Sequence, residues 1–178
     1  KNYVEKQSGP TNQELPSYAH AVGAVYRNSD PSDIVVTAAG GLVGEVIQVW
    51  RPKQKNTFES EWGFSCMGYE ISGALGIKMA KPDQDVVVFV GDGSYLLANS
   101  DIYSSVIYDK KLIIIVCDNG GHMVINRLQL AKGGKEYICN LRSARATNLQ
   151  FVDFEAHAKS MGANGETVTS KSTNCKFV

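Results

Sequence analysis

Two short polar clusters in this chain have the residue types to do chemistry. Gly91-Asp92-Gly93-Ser94 closes one apolar run, and Asp118-Asn119-Gly120-Gly121 closes the next. A carboxylate and an amide oxygen at the ends of two neighbouring parallel strands can share one hard cation, while bare glycine backbone lets a phosphate come close. Magnesium wants six oxygens in near-octahedral array and usually takes only a few from protein, leaving the rest to phosphate and water. Asp92 and Asn119 suit such a partial shell. A helix starting at Ser94 would aim its N–H groups, its dipole and the serine hydroxyl at an anion beyond Gly93. Each cluster alone also reads as an ordinary β-to-α turn, since Gly, Asp and Asn are the usual turn residues. The interval between them, Ser94 through Cys117, is 24 residues, about what one helix and one strand require.

The elements that must position these clusters follow from periodicity. Leu15, Ala19, Val22 and Val25-Tyr26 recur at helical spacing after a polar lead, with Pro16 acceptable in a first turn. Ile34 to Ala39 is short, β-branched and apolar on both faces, as a buried parallel strand should be. Gly40-Gly41 ends it, and Val43 to Trp50 continues as a helix. Pro52 to Trp62 reads as a polar connection. Ser65 to Met79 is the next helix, although Gly68, Gly73 and Gly76 each lower its propensity by about 1 kcal/mol relative to alanine. Asp85 to Val90 and Leu112 to Cys117 are strands, Ser94 to Tyr108 and Val124 to Leu130 helices. Lys132 to Gln150 has no clear period and reads as a long loop or a segment ordered by a partner. Asp153 caps a helix through Met161 that Gly162 terminates, and Glu166 to Thr169 begins another strand. Strand-helix alternation predicts a doubly wound α/β fold, a mainly parallel sheet with helices on both faces. Residues 1–30 form the lead-in and first helix and 31–178 the binding domain, within one domain overall. The chain stops before a further helix could cross back, which would leave the fold truncated at its C-terminus.

Composition limits the alternatives. The 178 residues are 43% hydrophobic, enough for one core, and 18 Lys+Arg balance 18 Asp+Glu. No global field attracts nucleic acid or an anionic membrane, so an anion must be held locally. The longest apolar run, Leu112 to Cys117, is far shorter than the roughly 20 residues a bilayer demands. Cys66, Cys117, Cys139 and Cys175 are widely spaced with no C-x-x-C pattern, which suits a reducing compartment. A soluble cytoplasmic protein is expected.

The paired clusters resemble the G-D-G and N-N signature of thiamine diphosphate-dependent enzymes, with Asp118 standing in the first Asn place. The resemblance implies thiamine diphosphate and Mg2+ as cofactors. It implies Asp92 and Asn119 as side-chain ligands of the metal, Gly121 as a ligand through its carbonyl, and Gly91, Gly93, Ser94 and His122 around the cofactor. Glu61-Trp62-Gly63-Phe64-Ser65-Cys66-Met67-Gly68-Tyr69 resembles the family segment in which a bulky apolar residue wedges between the two cofactor rings. Met67 matches that wedge and the backbone around Ser65 would hold the pyrimidine; core packing by an adaptable thioether is the other reading of Met67. Ala39-Gly40-Gly41-Leu42-Val43 resembles the first loop touching the diphosphate, and also reads as a plain strand-ending turn.

Within the family, Phe64 to Ile71, Gly91 to Tyr95, Ile125-Asn126-Arg127-Leu128-Gln129, Leu15 to Ala19 and Phe151 to Gly162 are similar to a branch that acts on a cyclic 1,2-diketone in inositol catabolism. That branch breaks the bond between the two carbonyl carbons with water. His122 stands where an aromatic residue is expected and Ala98-Asn99 departs too. His122 fits either a role beside the cofactor or a solvated loop position. An acetolactate synthase-like lyase or ligase would share every cofactor residue, and a non-catalytic domain could keep the cleft for binding or assembly. In this family a glutamate on a separate pyrimidine-binding domain, of the same protein or a neighbouring subunit, activates the cofactor. The catalytic residue is therefore expected outside this chain, in a homodimer or homotetramer. Glu45 and Glu70 read as solvated or hydrogen-bonded, His20 and His157 as helix residues without a metal-ligand partner at i+4, and Arg142 and Arg145 either reach a substrate carboxylate or only decorate a loop.

Overall fold

The computed structural model describes residues 2–9, 16–145, 148 and 150–168. Four parallel strands form one sheet in the order β2-β1-β3-β4: β1 Ile34–Thr37, β2 Phe58–Ser60, β3 Val86–Gly91 and β4 Ile113–Cys117. Val35 aligns with Val87 and Val87 with Ile113, so the strand ends lie in step and the loops that follow β1, β3 and β4 reach the same edge. β1 and β3 are buried almost end to end because helices cover both faces.

Alternation along the strands divides the core in two. Val35, Val87 and Phe89 face α2 (Tyr18–Asn28) and α3 (Gly40–Val49), while Ile34, Val36, Val86, Val88 and Val90 face α4 (Tyr69–Ala80) and α6 (Asp101–Ile107). Phe154, in α8 (Phe154–Ser160), packs on the second face, its ring edge-on to Tyr95 at 5.2 Å. The doubly wound parallel architecture is therefore as expected.

Several boundaries differ from the sequence reading. The polar lead contains a helix, α1 (Asn2–Ser8), which crosses α2 closely: a Cβ on Gly23 would lie 2.1 Å from the Ser8 carbonyl oxygen. Pro16 stays outside α2, because Ser17 takes the cap and closes a reciprocal capping box with His20. Leu15 lies outside the described residues. The connection Pro52 to Trp62 holds strand β2, too short and mixed in burial to show a period. The helix expected from Ser65 begins at Tyr69, since Ser65 and Gly68 have positive φ of 52° and 93°.

The helix expected over Ser94 to Tyr108 is two helices, α5 (Asp92–Leu97) and α6. Asn99 Nδ2 donates to the Tyr95 carbonyl at 3.1 Å, taking a carbonyl the continuing helix would need, and Asp101 opens a new first turn. Beyond β4 runs α7 (Met123–Ala131). Residues 166–168 form no strand; the Thr167 N–H donates instead to Glu155 Oε2 at 2.8 Å, and Thr169 lies outside the described residues. Cys66, Cys117 and Cys139 are free thiols, and Cys175 lies outside the described residues. No described helix is long and apolar enough to cross a membrane.

Candidate functional site

The loops after β1, β3 and β4, the first turn of α7 and the segment before α4 surround one cleft of about 680 Å³, open mouth included. Ligands of open parallel sheets gather at this edge. The cleft collects Gly40, Gly41 and Leu42 from the first loop, Ser65 and Met67 from the second, Gly91, Asp92, Gly93 and Ser94 from the third, and Asn119, Gly121 and His122 from the fourth. Every residue singled out in the sequence for cofactor or metal lies on it. Arg142, Arg145 and Glu45 do not line it.

The two polar clusters are joined by a hydrogen bond. Asp92, 3% exposed, accepts the Gly121 N–H on Oδ2 at 2.7 Å. Burial pushes its carboxyl above the usual carboxylate range; the Gly121 N–H pulls it back, and the nearby Asp118 charge pushes it up again. A buried carboxylate with a second acid beside it is relieved either by a proton or by a cation. Asn119 gives its amide N–H to the Tyr18 hydroxyl, and Asp118 folds back to accept the Gly120 N–H at 2.8 Å. Asn119 Oδ1 thereby faces no donor among the described residues. Gly120 and Gly121 have φ of 80° and 133°, and a Cβ on Gly121 would meet the Cys139 carbonyl oxygen at 2.4 Å. Only glycine fits there.

The loop is closed from behind by residues 139–141. His122 N–H donates to the Cys139 carbonyl at 2.8 Å, and Leu141 N–H to the Gly120 carbonyl at 2.9 Å. Part of the expected Lys132 to Gln150 loop is thus a strap over Gly120 to His122. The His122 ring lies over Gly93, with Nδ1 2.8 Å from where a Cβ would stand. Met67 Cε is 3.4 Å from that same point, so Met67 lies in the cleft, 41% exposed, and not in the core.

Ser94 differs from expectation. Its hydroxyl turns inward, donating to Glu70 Oε2 at 2.7 Å and accepting the Gly68 N–H at 2.8 Å. Helix α5, six residues long, also carries less dipole than the long helix expected. The ten-residue α3 is the better anion partner, because Ala39 leaves its first N–H groups at Gly40-Gly41-Leu42 without a side-chain cap.

Glu70, read in sequence as solvated or hydrogen-bonded, is not solvated but the hub of the floor. It is 1% exposed and takes N–H groups of Ala39 at 3.3 Å and Gly68 at 3.0 Å besides the Ser94 hydroxyl, so one carboxylate ties three of the cleft loops. Its signal was a lone acid between Tyr69 and Ile71 in a first turn. Glu61 ties the strained turn at Ser65, accepting N–H groups of Cys66 at 2.6 Å and Phe64 at 3.0 Å, which hold its carboxyl below the usual range. Tyr18, the first residue of α2, lines the cleft and was not singled out. His157 bonds the Tyr95 hydroxyl at 2.9 Å, away from the site.

The donor set fits a magnesium diphosphate. It offers one buried carboxylate, one amide oxygen without a donor among the described residues, a glycine at 121 where no Cβ could fit and an uncapped helix start. No group of three His, Cys, Asp or Glu that could hold a metal occurs among the described residues.

Known proteins place the chain. Three curated relatives, each called 3D-(3,5/4)-trihydroxycyclohexane-1,2-dione hydrolase, come from Halalkalibacterium halodurans, Lacticaseibacillus casei and Bacillus subtilis. They are 40%, 43% and 37% identical over 79%, 80% and 85% of this chain, which spans 22%, 22% and 24% of their lengths. The Rhodococcus jostii RHA1 thiamine diphosphate-dependent 4-hydroxybenzoylformate decarboxylase superposes with a TM-score of 0.78 over 90% of this chain and 29% of that one; at 17% identity it speaks for the fold alone. The family "Thiamine pyrophosphate enzyme, C-terminal TPP binding domain" matches residues 38–176. The chain belongs to that family of thiamine pyrophosphate-binding domains.

Proposed function

We propose that Asp92, Asn119 and the Gly121 carbonyl hold Mg2+ in this cleft, and that the metal and the start of α3 hold the diphosphate of thiamine diphosphate. The observation that carries this reading is the Asp92 to Gly121 hydrogen bond, which brings the two motifs to one point beside Gly40 and Gly41. The Gly121 carbonyl already accepts the Met123 N–H at 3.0 Å and keeps one lone pair for a metal. Met67, level with Gly93 and His122, would set the two rings of the cofactor against each other, and the turn at Ser65 would bind the pyrimidine through its backbone.

When bound, thiamine diphosphate supplies a carbanion able to add to a carbonyl and store its electrons. This chain's residues bind and orient the cofactor's tail. Asp92 is the one carboxylate lining the cleft among the described residues, and it is committed to the metal. That supports an activating glutamate on a pyrimidine-binding domain of the same protein or a neighbouring subunit, in a homodimer or homotetramer. Residues 1–178 would then be one diphosphate-binding domain, with 1–30 as its lead-in.

For the whole enzyme, the names of relatives at 36 to 44% identity support hydrolysis of a trihydroxycyclohexane-1,2-dione; cleavage between its two carbonyls to 5-deoxyglucuronate, in inositol catabolism, is what the family resemblance implies. The intact protein, loaded with cofactor and Mg2+, is expected to consume this diketone and to leave pyruvate untouched. Acetolactate formation from pyruvate with no diketone turnover would defeat the substrate assignment.

A further inference from the structure

We propose that Tyr18 is a positioning residue for the metal: its phenol oxygen holds the Asn119 amide nitrogen and so presents Asn119 Oδ1 to the cation shared with Asp92. The inference rests on the reading of Asn119 as a metal ligand. Tyr18 lies outside the stretch matched by the family model, yet it lines the same cleft as Asp92 and Gly121.

The two partners are held very differently. Tyr18 opens an eleven-residue helix whose start is fixed by the Ser17 cap and whose Ala19, Val22 and Val25 are buried against the sheet face. Asn119 is exposed, on a loop followed by two glycines of positive φ. The contact with Tyr18 is the one hydrogen bond of its side chain among the described residues. A rigid helix thus orders a ligand that its own loop leaves free to turn.

The chemistry fixes which way the amide must face. A phenol can accept from an amide N–H or donate to an amide oxygen. The first arrangement, present here, turns the nitrogen to Tyr18 and frees the oxygen, which a hard cation requires. With the amide reversed, the NH2 group would oppose the metal. Partners that orient a ligand in this way usually change metal affinity about 10- to 100-fold when removed.

The test uses Tyr18→Phe, which keeps the ring and removes only the hydroxyl, beside Asn119→Ala and the double variant, all in the intact protein. Mg2+ is titrated by calorimetry in the presence of thiamine diphosphate, and each variant is melted without metal and cofactor. Tyr18→Phe is expected to raise the apparent Kd for Mg2+ about tenfold, to leave the metal-free Tm unchanged, and to add nothing in the Asn119→Ala background. An unchanged Mg2+ affinity in Tyr18→Phe, with Asn119→Ala weakened, overturns the role of Tyr18 and leaves the metal reading standing. An unchanged affinity in Asn119→Ala removes the metal reading itself. A fall in metal-free Tm without loss of Mg2+ affinity shows a purely structural hydroxyl and likewise overturns the inference.

Discussion

The floor of the cleft, where Glu70, Asp92 and Ser94 are 1 to 4% exposed, contrasts with the turn that precedes α4, where Trp62 is 57% and Phe64 90% exposed. At the floor each buried polar group must find a partner or cost free energy, so Glu70, Ser94, Gly68 and Ala39 lock into one network and Asp92 into another. At that turn a half-buried acid, Glu61, accepts the Phe64 and Cys66 N–H groups, and two large aromatic side chains stand in solvent. Hydrogen bonds within this chain therefore set the geometry of the proposed diphosphate end. Trp62 and Phe64 would give the proposed ring end an apolar surface for the proposed pyrimidine-binding domain to cover.

Replacing Asp92 by Ala gives the sharpest contrast between the ends. Thiamine diphosphate affinity should fall more than about 100-fold and lose its Mg2+ dependence, as calorimetry would read. Protonation should imitate this partly. The metal-free folded chain holds the Asp92 proton more tightly than the unfolded chain, so this group favours folding below its raised pKa, and that contribution is lost as pH rises through it. Mg2+ must displace the proton, so cofactor affinity should weaken as pH falls towards the raised value. A flat pH profile down to the ordinary carboxylate range would contradict the burial of Asp92.

Gly121→Ala should cost about 1–3 kcal/mol from the positive φ and the clash with Cys139. Mg2+ affinity should drop with it, because the strap and the carbonyl move together. Glu70→Gln retains one acceptor for a site that needs several, and should lower stability by about 1–3 kcal/mol with a several-fold weaker cofactor Kd. A variant that melts and binds normally would show the floor to be far less tightly specified. Phe64→Ala should change cofactor binding by this chain less than about twofold; a loss matching that of Glu70→Gln would erase the distinction between the ends.

Much of this was legible in the sequence for identifiable reasons. Continuous β-branched runs such as Ile34 to Thr37 and Val86 to Val90 have only one comfortable place, inside a parallel sheet. Asp92, Asn119 and the glycines declared themselves by type and interval. Strand β2 escaped because its three residues pair on an edge and show no period. The break after Leu97 escaped because it depends on a side-chain bond from Asn99. Tyr18 and Glu70 escaped for a different reason: their partners lie 101, 31 and 24 residues away in sequence, and local pattern carries no trace of such contacts.

Asp92, Asn119 and Gly121 are proposed to make a metal-dependent diphosphate site. Titrating thiamine diphosphate calorimetrically into the protein, with Mg2+ and then with the metal chelated, tests it most directly. Saturable binding that needs Mg2+ and is lost in Asp92→Ala is expected. Equal affinity with and without metal, or a wild-type isotherm from Asp92→Ala, would contradict it.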